Sequence, residues 1–517
     1  MRARRSDKPA SVIDVVVVGA GPNGLSAACW LARAGLDVLV LEAEPTYGGA
    51  ARSGVTTLPG FTSDLGAAFF PFGQLSPALK PLDLPGAGLV WRHAPIDLAH
   101  PAPDGTCAAI SRDLELTMQH FGPDAAAWRK LAVWHDATKE RMLDALLSTL
   151  PAIAPMARFG PANLLQLARV AASSGRGYAE AIFRTEAARR VLPGLALHTD
   201  VGPDDACGAI VGFVLGMLAS SGGFGVPEGG AGAIAKALVR RLEASRGQVW
   251  CNERVESIVV KRRRAVAVRT ASGSEIEARL GVVADVGAPA LFLKLVAREW
   301  IPFDVAEAMR GFAYGFGTFK IDWALDGPVP WAIDACRDAA VVHLGDSIDD
   351  LARFTKQVRA GELPEHPYLV IGQQSLADPT RAPAGKHTLW AYSRVPSALE
   401  GGWESARERF ADRVDARIEG LAPGFMKRVL ARKAFSPIDL ERMNANLVGG
   451  DLGGGSAQIQ HQLFMRPVFP YFRHRTPVDG LYLGSSYAHP GAGVHGACGR
   501  NAALALLEDA GLSAPAA

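Results

Sequence analysis

The residues best suited to chemistry stand close to the N-terminus. Gly19-Ala20-Gly21-Pro22-Asn23-Gly24 is a G-x-G-x-x-G run, and Glu42 follows 18 positions after Gly24. In such a run the first glycine permits a tight turn. The second lets the backbone approach a pyrophosphate, and the third lets helix and strand pack closely. A helix beginning there turns free N–H groups and the positive end of its dipole toward a phosphate. Gly19, Gly21, Pro22, Asn23 and Gly24 are therefore candidate dinucleotide contacts. Glu42 is placed to accept hydrogen bonds from a ribose diol, which favours an adenosine ribose without a 2′-phosphate. Tyr47-Gly48-Gly49 follows within a few residues. Gly48 and Gly49 would let the backbone pass a pyrophosphate, and Arg52 would add a charge-assisted contact.

These residues need a particular scaffold. Val12 to Val18 is an apolar, β-branched run broken only by Asp14, the pattern of a fully buried parallel strand. A helical pattern runs from about Leu25 to Ala34 and stops at Gly35; Asp37 to Leu41 reads as a second buried strand. This is a complete strand–helix–strand unit. No second G-x-G-x-x-G follows a strand downstream. One tightly held dinucleotide that is itself the redox agent fits that pattern, so FAD is expected rather than NAD. The substrate would then be the electron donor, with oxygen or a quinone as acceptor.

Composition narrows the alternatives. In 517 residues, 49% are hydrophobic and 21% charged, and the net charge is +2. That gives ample material for a large core and none of the basic excess of a nucleic-acid binder. None of the six cysteines forms a C-x-x-C pair, so no metal ligands are assigned and no dithiol redox centre is expected. The basic arm with Arg2, Arg4, Arg5 and Lys8 reads as a tail rather than a secretion signal or a mitochondrial presequence. A cytoplasmic location, on the inner face of a membrane if membrane-bound, is expected.

Further stretches point one way. They are Pro59-Gly60-Phe61, Asp64-x-Gly66, Val226-Pro227-Glu228-Gly229-Gly230, Gly317 to Leu325 (GTFKIDWAL), Gly480 to Gly484 (GLYLG) and His489-Pro490-Gly491-Ala492-Gly493-Val494. With the fingerprint, they resemble the phytoene desaturase–carotenoid isomerase–retinol saturase group of FAD-dependent oxidoreductases. The branch most similar is the one named after pyridine nucleotide-disulfide oxidoreductase domain-containing protein two. The resemblance covers nearly the whole chain. It implies an α/β fold: a Rossmann-type FAD-binding domain of the flavin amine oxidase type, with an inserted α+β substrate domain. The implied pieces are 1–75, 226–290 and 476–517 for the FAD domain. A mainly helical segment 76–225 and a sheet-and-helix segment 291–475 make up the substrate domain. The resemblance also sets Val255 by the adenine and places Gly484, Gly491, Gly493 and Val494 in a loop against the flavin. The helix from about Gly496 would then aim its N-terminus at the ring. Two positions depart from the family pattern: Ala50 stands where relatives carry Arg, and Ala492 where they carry Gly.

By the same resemblance the activity is desaturation, isomerisation or saturation of a long polyene-, isoprenoid- or lipid-like substrate by hydride transfer. A flavin-dependent amine oxidase, or a flavoprotein that binds or assembles without turnover, is the alternative. His489 and His495 are the candidate catalytic bases, against a reading as loop residues bonding the backbone. Lys320 is read as a salt-bridged or solvated strand lysine rather than an amine-oxidase lysine. Lys261 to Arg264 is read as a hairpin tip rather than a lipid contact. Trp323, Trp331, Trp390, Tyr392 and Trp403 are candidates for a tunnel wall or for ordinary core.

Ala206 to Pro227 carries no charge. Its helical part, about Ala209 to Ala219, is too short to cross a bilayer, which takes about 20 residues. It reads as a buried helix with Phe213, Leu215 and Met217 on the tunnel wall. Peripheral membrane contact is expected instead from the amphipathic stretch between Met142 and Ala172.

Overall fold

The computed structural model describes residues 13–515. The basic arm lies outside them. Val15–Val18 is wholly buried, and its backbone pairs in parallel with Val38–Leu41 on one side and Gly281–Ala284 on the other. Gln248–Trp250 and Leu481–Leu483 complete a five-stranded sheet in which every pairing is parallel. Continuous Val/Leu runs suit strands covered on both faces. The helices Pro22–Arg33, Gly232–Ala244 and Ala497–Asp509 pack together on one face. The strands come from the pieces 1–75, 226–290 and 476–517.

Gln248 to Ala284 alternates like a single meander, but only Val255–Lys261, Arg264–Thr270 and Glu275–Glu277 form one. The flanking strands Gln248–Trp250 and Gly281–Ala284 join the parallel sheet instead. Arg262 and Arg263, both at positive φ, turn the first hairpin, and Lys261 to Arg264 are exposed there.

The second sheet has seven strands. In spatial order they are Val429–Phe435, Gly317–Leu325, His387–Val395, Leu369–Gly372, Ala339–Leu344, Ile96–Pro101 and Cys107–Ile110. Only the pair Ala339–Leu344 with Ile96–Pro101 is parallel. The last two strands come from the segment that reads as mainly helical. One face of this sheet packs on Gly402–Leu421, the other on the helical layer that includes Ala125–Leu147, Pro161–Ala171 and Ala209–Ser221. No helix among the described residues is long and apolar enough to cross a membrane.

A buried ion network joins the short strand Ser63–Asp64 to the turn from Asp378 to Arg381. Nη1 of Arg381 donates to Asp64 at 2.6 Å and its Nε to Asp378 at 2.9 Å, with all three side chains buried. Asp64 in turn accepts from the Ala231 N–H and Asp378 from the Gly229 N–H. The glycine loop before Gly232–Ala244 is thereby pinned.

Candidate functional site

The strand Val15–Val18 delivers the chain to Gly19, whose φ of +96° suits glycine alone. Gly21 caps the helix in extended conformation and Pro22 takes the first helical position, where its missing N–H costs nothing. A Cβ at Gly24 would lie 2.1 Å from the Gly19 carbonyl, so the third glycine is a packing requirement. Its N–H donates to Oδ2 of Asp285 at 2.8 Å. Asn23 lines the cavity with a buried Oδ1 that has no partner. Glu42 is held by two backbone donors: Ala20 N–H to Oε2 at 2.8 Å and Glu44 N–H to Oε1 at 3.0 Å. The carboxylate is thus fixed at the cavity wall before any ligand arrives.

Gly49 packs on Gly21 so closely that a Cβ would sit 2.9 Å from the Gly21 Cα. Arg52 lines the cavity with its guanidinium bridging the carbonyls of Gly49 and Met443, at 3.0 and 2.7 Å. Val255 also lines it. The glycine cradle, the orphaned Asn23 oxygen and the fixed Glu42 carboxylate together fit a dinucleotide. Gly48 and Gly484 stand behind the wall. A Cβ at Gly48 would meet the Ala51 carbonyl at 2.7 Å, and one at Gly484 would meet Val283 at 2.9 Å.

At the far end of the nucleotide half, Ser486, His489, Pro490, Ala492, Gly493, Val494 and His495 line the same cavity. Gly491 does not line it; its positive φ and its contact with Arg466 shape the loop from behind. The helix Ala497–Asp509 begins here, and Gly499 crosses Asn23 where a Cβ would be 1.8 Å from a carbonyl oxygen. His495 Nδ1 accepts the Ala497 N–H at 3.0 Å. Its ring proton is therefore assigned to Nε2. That nitrogen, and Nε2 of His489, have no well-formed hydrogen bond. Burial pulls His495 down to about 4 and His489 to about 3, so both are neutral at pH 7. With Nδ1 engaged and Nε2 protonated, His495 offers the cavity a donor rather than a base. His489 is the one of the pair without that constraint.

Sequence reasoning missed two ionisable groups here. Arg466 is buried and lines the cavity, and its guanidinium donates to the carbonyls of Gly453, Gly454, Ser456 and Ser486. Asp285 caps the third strand against the fingerprint, and burial raises it to about 7. Neither belongs to a spaced motif, so the linear pattern carried no signal for them.

Beyond this end the cavity, about 930 Å³ in all, opens into an apolar lobe. Leu143, Leu146 and Leu147 line it from Ala125–Leu147, and Ile210, Val211, Val214 and Leu215 from Ala209–Ser221. Phe69, Phe224, Trp390 and Tyr392 complete the wall. Gly212 lets the second helix press onto Leu192, where a Cβ would lie 1.9 Å from the carbonyl oxygen. Leu215 faces the cavity as expected, but Phe213 and Met217 point into the core. Trp323, Trp331 and Trp403 are core residues whose indole N–H groups bond Asp415, Gln373 and the Ser397 carbonyl. Lys320 lies off the cavity, buried and paired with Asp322 at 2.6 Å.

Comparison with known proteins supplies the family and the fold. The family model for flavin containing amine oxidoreductase matches residues 23–507. The chain is 29% identical to "Pyridine nucleotide-disulfide oxidoreductase domain-containing protein 2" of Mus musculus, over 96% of this chain and 93% of that one. It is 26% identical to the neurosporene-forming phytoene desaturase of Cereibacter sphaeroides, over 97% and 96%. Among solved structures, an oxidoreductase from Methanosarcina mazei superposes with a TM-score of 0.64 at 18% identity, covering 96% of this chain and all of that one. The chain belongs to the flavin containing amine oxidoreductase family.

Proposed function

We propose that the chain is an enzyme that binds one FAD without a covalent bond and oxidises or reduces a long apolar substrate at a CH–CH unit. The observation that carries this reading is the single cavity that joins the nucleotide cradle to a lobe walled by Leu146, Val214, Leu215 and Trp390. Bound flavin would supply the hydride acceptor or donor. Glu42 would hold the adenosine ribose, and the turn from Gly19 to Gly24 the diphosphate. Arg466 and the N-terminus of Ala497–Asp509 favour negative charge at the loop end. The apolar lobe orients the substrate and excludes water, and neutral His489 and His495 add no charge to it.

Relatives named as phytoene desaturases support a polyene or isoprenoid as substrate; oxygen or a quinone would be the acceptor. The apolar lobe would accommodate a substrate for desaturation, isomerisation or saturation alike. Amine oxidation is the second reading, and Asp200 on the cavity wall is the observation that favours it, since a carboxylate would meet an alkylammonium.

The test is mass spectrometry of lipids that co-purify with the yellow protein, followed by anaerobic mixing. Phytoene in phosphatidylcholine vesicles is expected to bleach the flavin. Bleaching by a primary alkylamine instead would establish the second reading. Flavin that stays oxidised with every lipid recovered would point to a binding protein.

A further inference from the structure

Three imidazoles stand in a row behind the apolar lobe. His198 lines the lobe, with its ring edge-on to Phe224 and Tyr392. Its Nε2 lies 2.8 Å from Nε2 of His343, and Nδ1 of His343 lies 3.3 Å from Nε2 of His100. His343 and His100 sit on adjacent parallel strands, Ala339–Leu344 and Ile96–Pro101, and both are buried. Tyr368 lies over His343 with ring planes 4° apart, which fixes the middle ring. The strand carrying His100 runs into the exposed turn Pro103 to Thr106.

A contact between two neutral imidazole nitrogens takes one N–H and one lone pair. This row can satisfy both of its contacts in two ways. In the first, His198 donates to His343, His343 donates to His100, and His198 keeps a bare Nδ1. In the second, His100 donates to His343, His343 donates to His198, and His198 carries its proton on Nδ1. One proton entering at His198 Nδ1 and one leaving at His100 Nδ1 converts the first arrangement into the second.

The surroundings keep the row neutral. Arg190 donates to the His100 carbonyl at 2.9 Å and Arg394 to the His198 carbonyl. Burial, and then these guanidiniums, hold His100 and His198 down to about 3, and His343 lies well below its ordinary value. Tyr368 and Tyr392, raised by burial, stay protonated. An imidazolium has no stable place here, so an arriving proton is handed on rather than kept.

We propose that His198, His343 and His100 are a proton relay serving the apolar lobe, with His198 as the acid–base group that meets the substrate. The proposal rests on the oxidoreductase reading above. In the dehydrogenating direction one C–H bond gives its electron pair as hydride to the flavin, which is reduced. The neighbouring C–H leaves its proton on His198 Nδ1 as the C=C bond forms. His198 passes its Nε2 proton to His343, His343 passes its Nδ1 proton to His100, and His100 releases one from Nδ1 toward the exposed turn. In the saturating direction the same steps run backward.

The first arm of the test needs no substrate. In FAD-loaded protein labelled with ¹⁵N-histidine, the two nitrogens of His343 are expected to show shifts averaged between the protonated and bare values, because both arrangements interconvert. His343→Gln identifies the resonances. A His343 locked in one tautomer would overturn the relay. The second arm is anaerobic stopped flow with phytoene in phosphatidylcholine vesicles. H343Q keeps a hydrogen-bonding side chain but cannot conduct, so it is expected to retain FAD while bleaching at least tenfold more slowly and with an altered pH profile. Bleaching at the wild-type rate would also overturn the relay. If phytoene leaves wild type oxidised, the polyene reading fails instead, and the tautomer measurement decides the relay.

Discussion

Oδ2 of Asp285 accepts the Gly24 N–H at 2.8 Å, joining the end of one parallel strand to the first turn of a helix 261 positions away in sequence. The carboxyl is buried. Its burial, with Glu42 nearby, raises it to about 7 despite the Gly24 hydrogen bond. A charged Asp285 would face both Glu42 and an arriving diphosphate.

The pH dependence follows from that. The folded state holds Asp285 neutral up to about 7, against an ordinary value of 3.8. Its contribution to stability is full below about pH 4 and is lost as pH rises through 7. Asp285→Asn is expected to gain thermal midpoint over wild type between pH 6 and 8.5, and to bind FAD more tightly at pH 8. Thermal melts and flavin fluorescence titrations check this; parallel pH profiles for the two proteins would refute it.

Gly21→Val places a Cβ 2.6 Å from Asp285 Oδ2, with its methyls in the cradle. The variant is expected to fold and to purify colourless. The ratio of flavin absorbance to protein is the measurement, and full FAD content would show that the fingerprint has been misassigned.

Arg381→Met removes one cation from between Asp64 and Asp378 and leaves two buried carboxylates bonded to the loop at Gly229 and Ala231. Breaking a buried pair from one side costs about 3–5 kcal/mol. Denaturant unfolding should show a loss of that size. A loss under about 1 kcal/mol would mean that the pair is hydrated and screened.

Acid should destabilise the fold through its histidines. His100, His198, His474, His489 and His495 are all pulled down by burial, to between about 3 and about 4. Each contributes stability that is present above about pH 6.5 and lost as pH falls toward 4, at up to ~1.4 kcal/mol per pH unit. Calorimetry between pH 8 and 4 should show the midpoint falling below pH 6.5, and D285N, which lacks the opposing gain from a protonated Asp285, should fall more steeply. By the same shifts, neither His489 nor His495 should contribute a kinetic pKa near 6.5.

Membrane contact is expected at two neighbouring apolar surfaces. Ile153, Met156 and Leu165 are exposed on the helices Ile153–Phe159 and Pro161–Ala171, and Leu463, Phe464, Met465 and Phe469 on a later loop. Arg473 Nε donates to the Leu150 carbonyl at 3.1 Å and links the two segments. Liposome flotation should carry part of the protein, carbonate should release it, and the double variant I153D/F469D should stay in solution. Protein released by detergent alone would contradict peripheral attachment.

The nucleotide half was legible because its information is local. Strand, glycine turn, helix, second strand and Glu42 lie within about thirty residues, and φ signs and close approaches there are set by neighbours in the chain. The absence of charge from Ala206 to Pro227 likewise marked a buried helix. Its facing was another matter: Ala209–Ser221 is apolar all round, so nothing in its pattern distinguished Leu215, on the cavity, from Phe213 and Met217, in the core. Alternation alone could not tell a meander from strands bound for the parallel sheet, because pairing partners lie far off in sequence. The tertiary structure alone decided the placement of Asp285, Arg466 and His198. Each is a polar side chain drawn to the cavity by long-range packing, and its charge or tautomer is set by what burial removes and by which distant backbone and side-chain groups replace water.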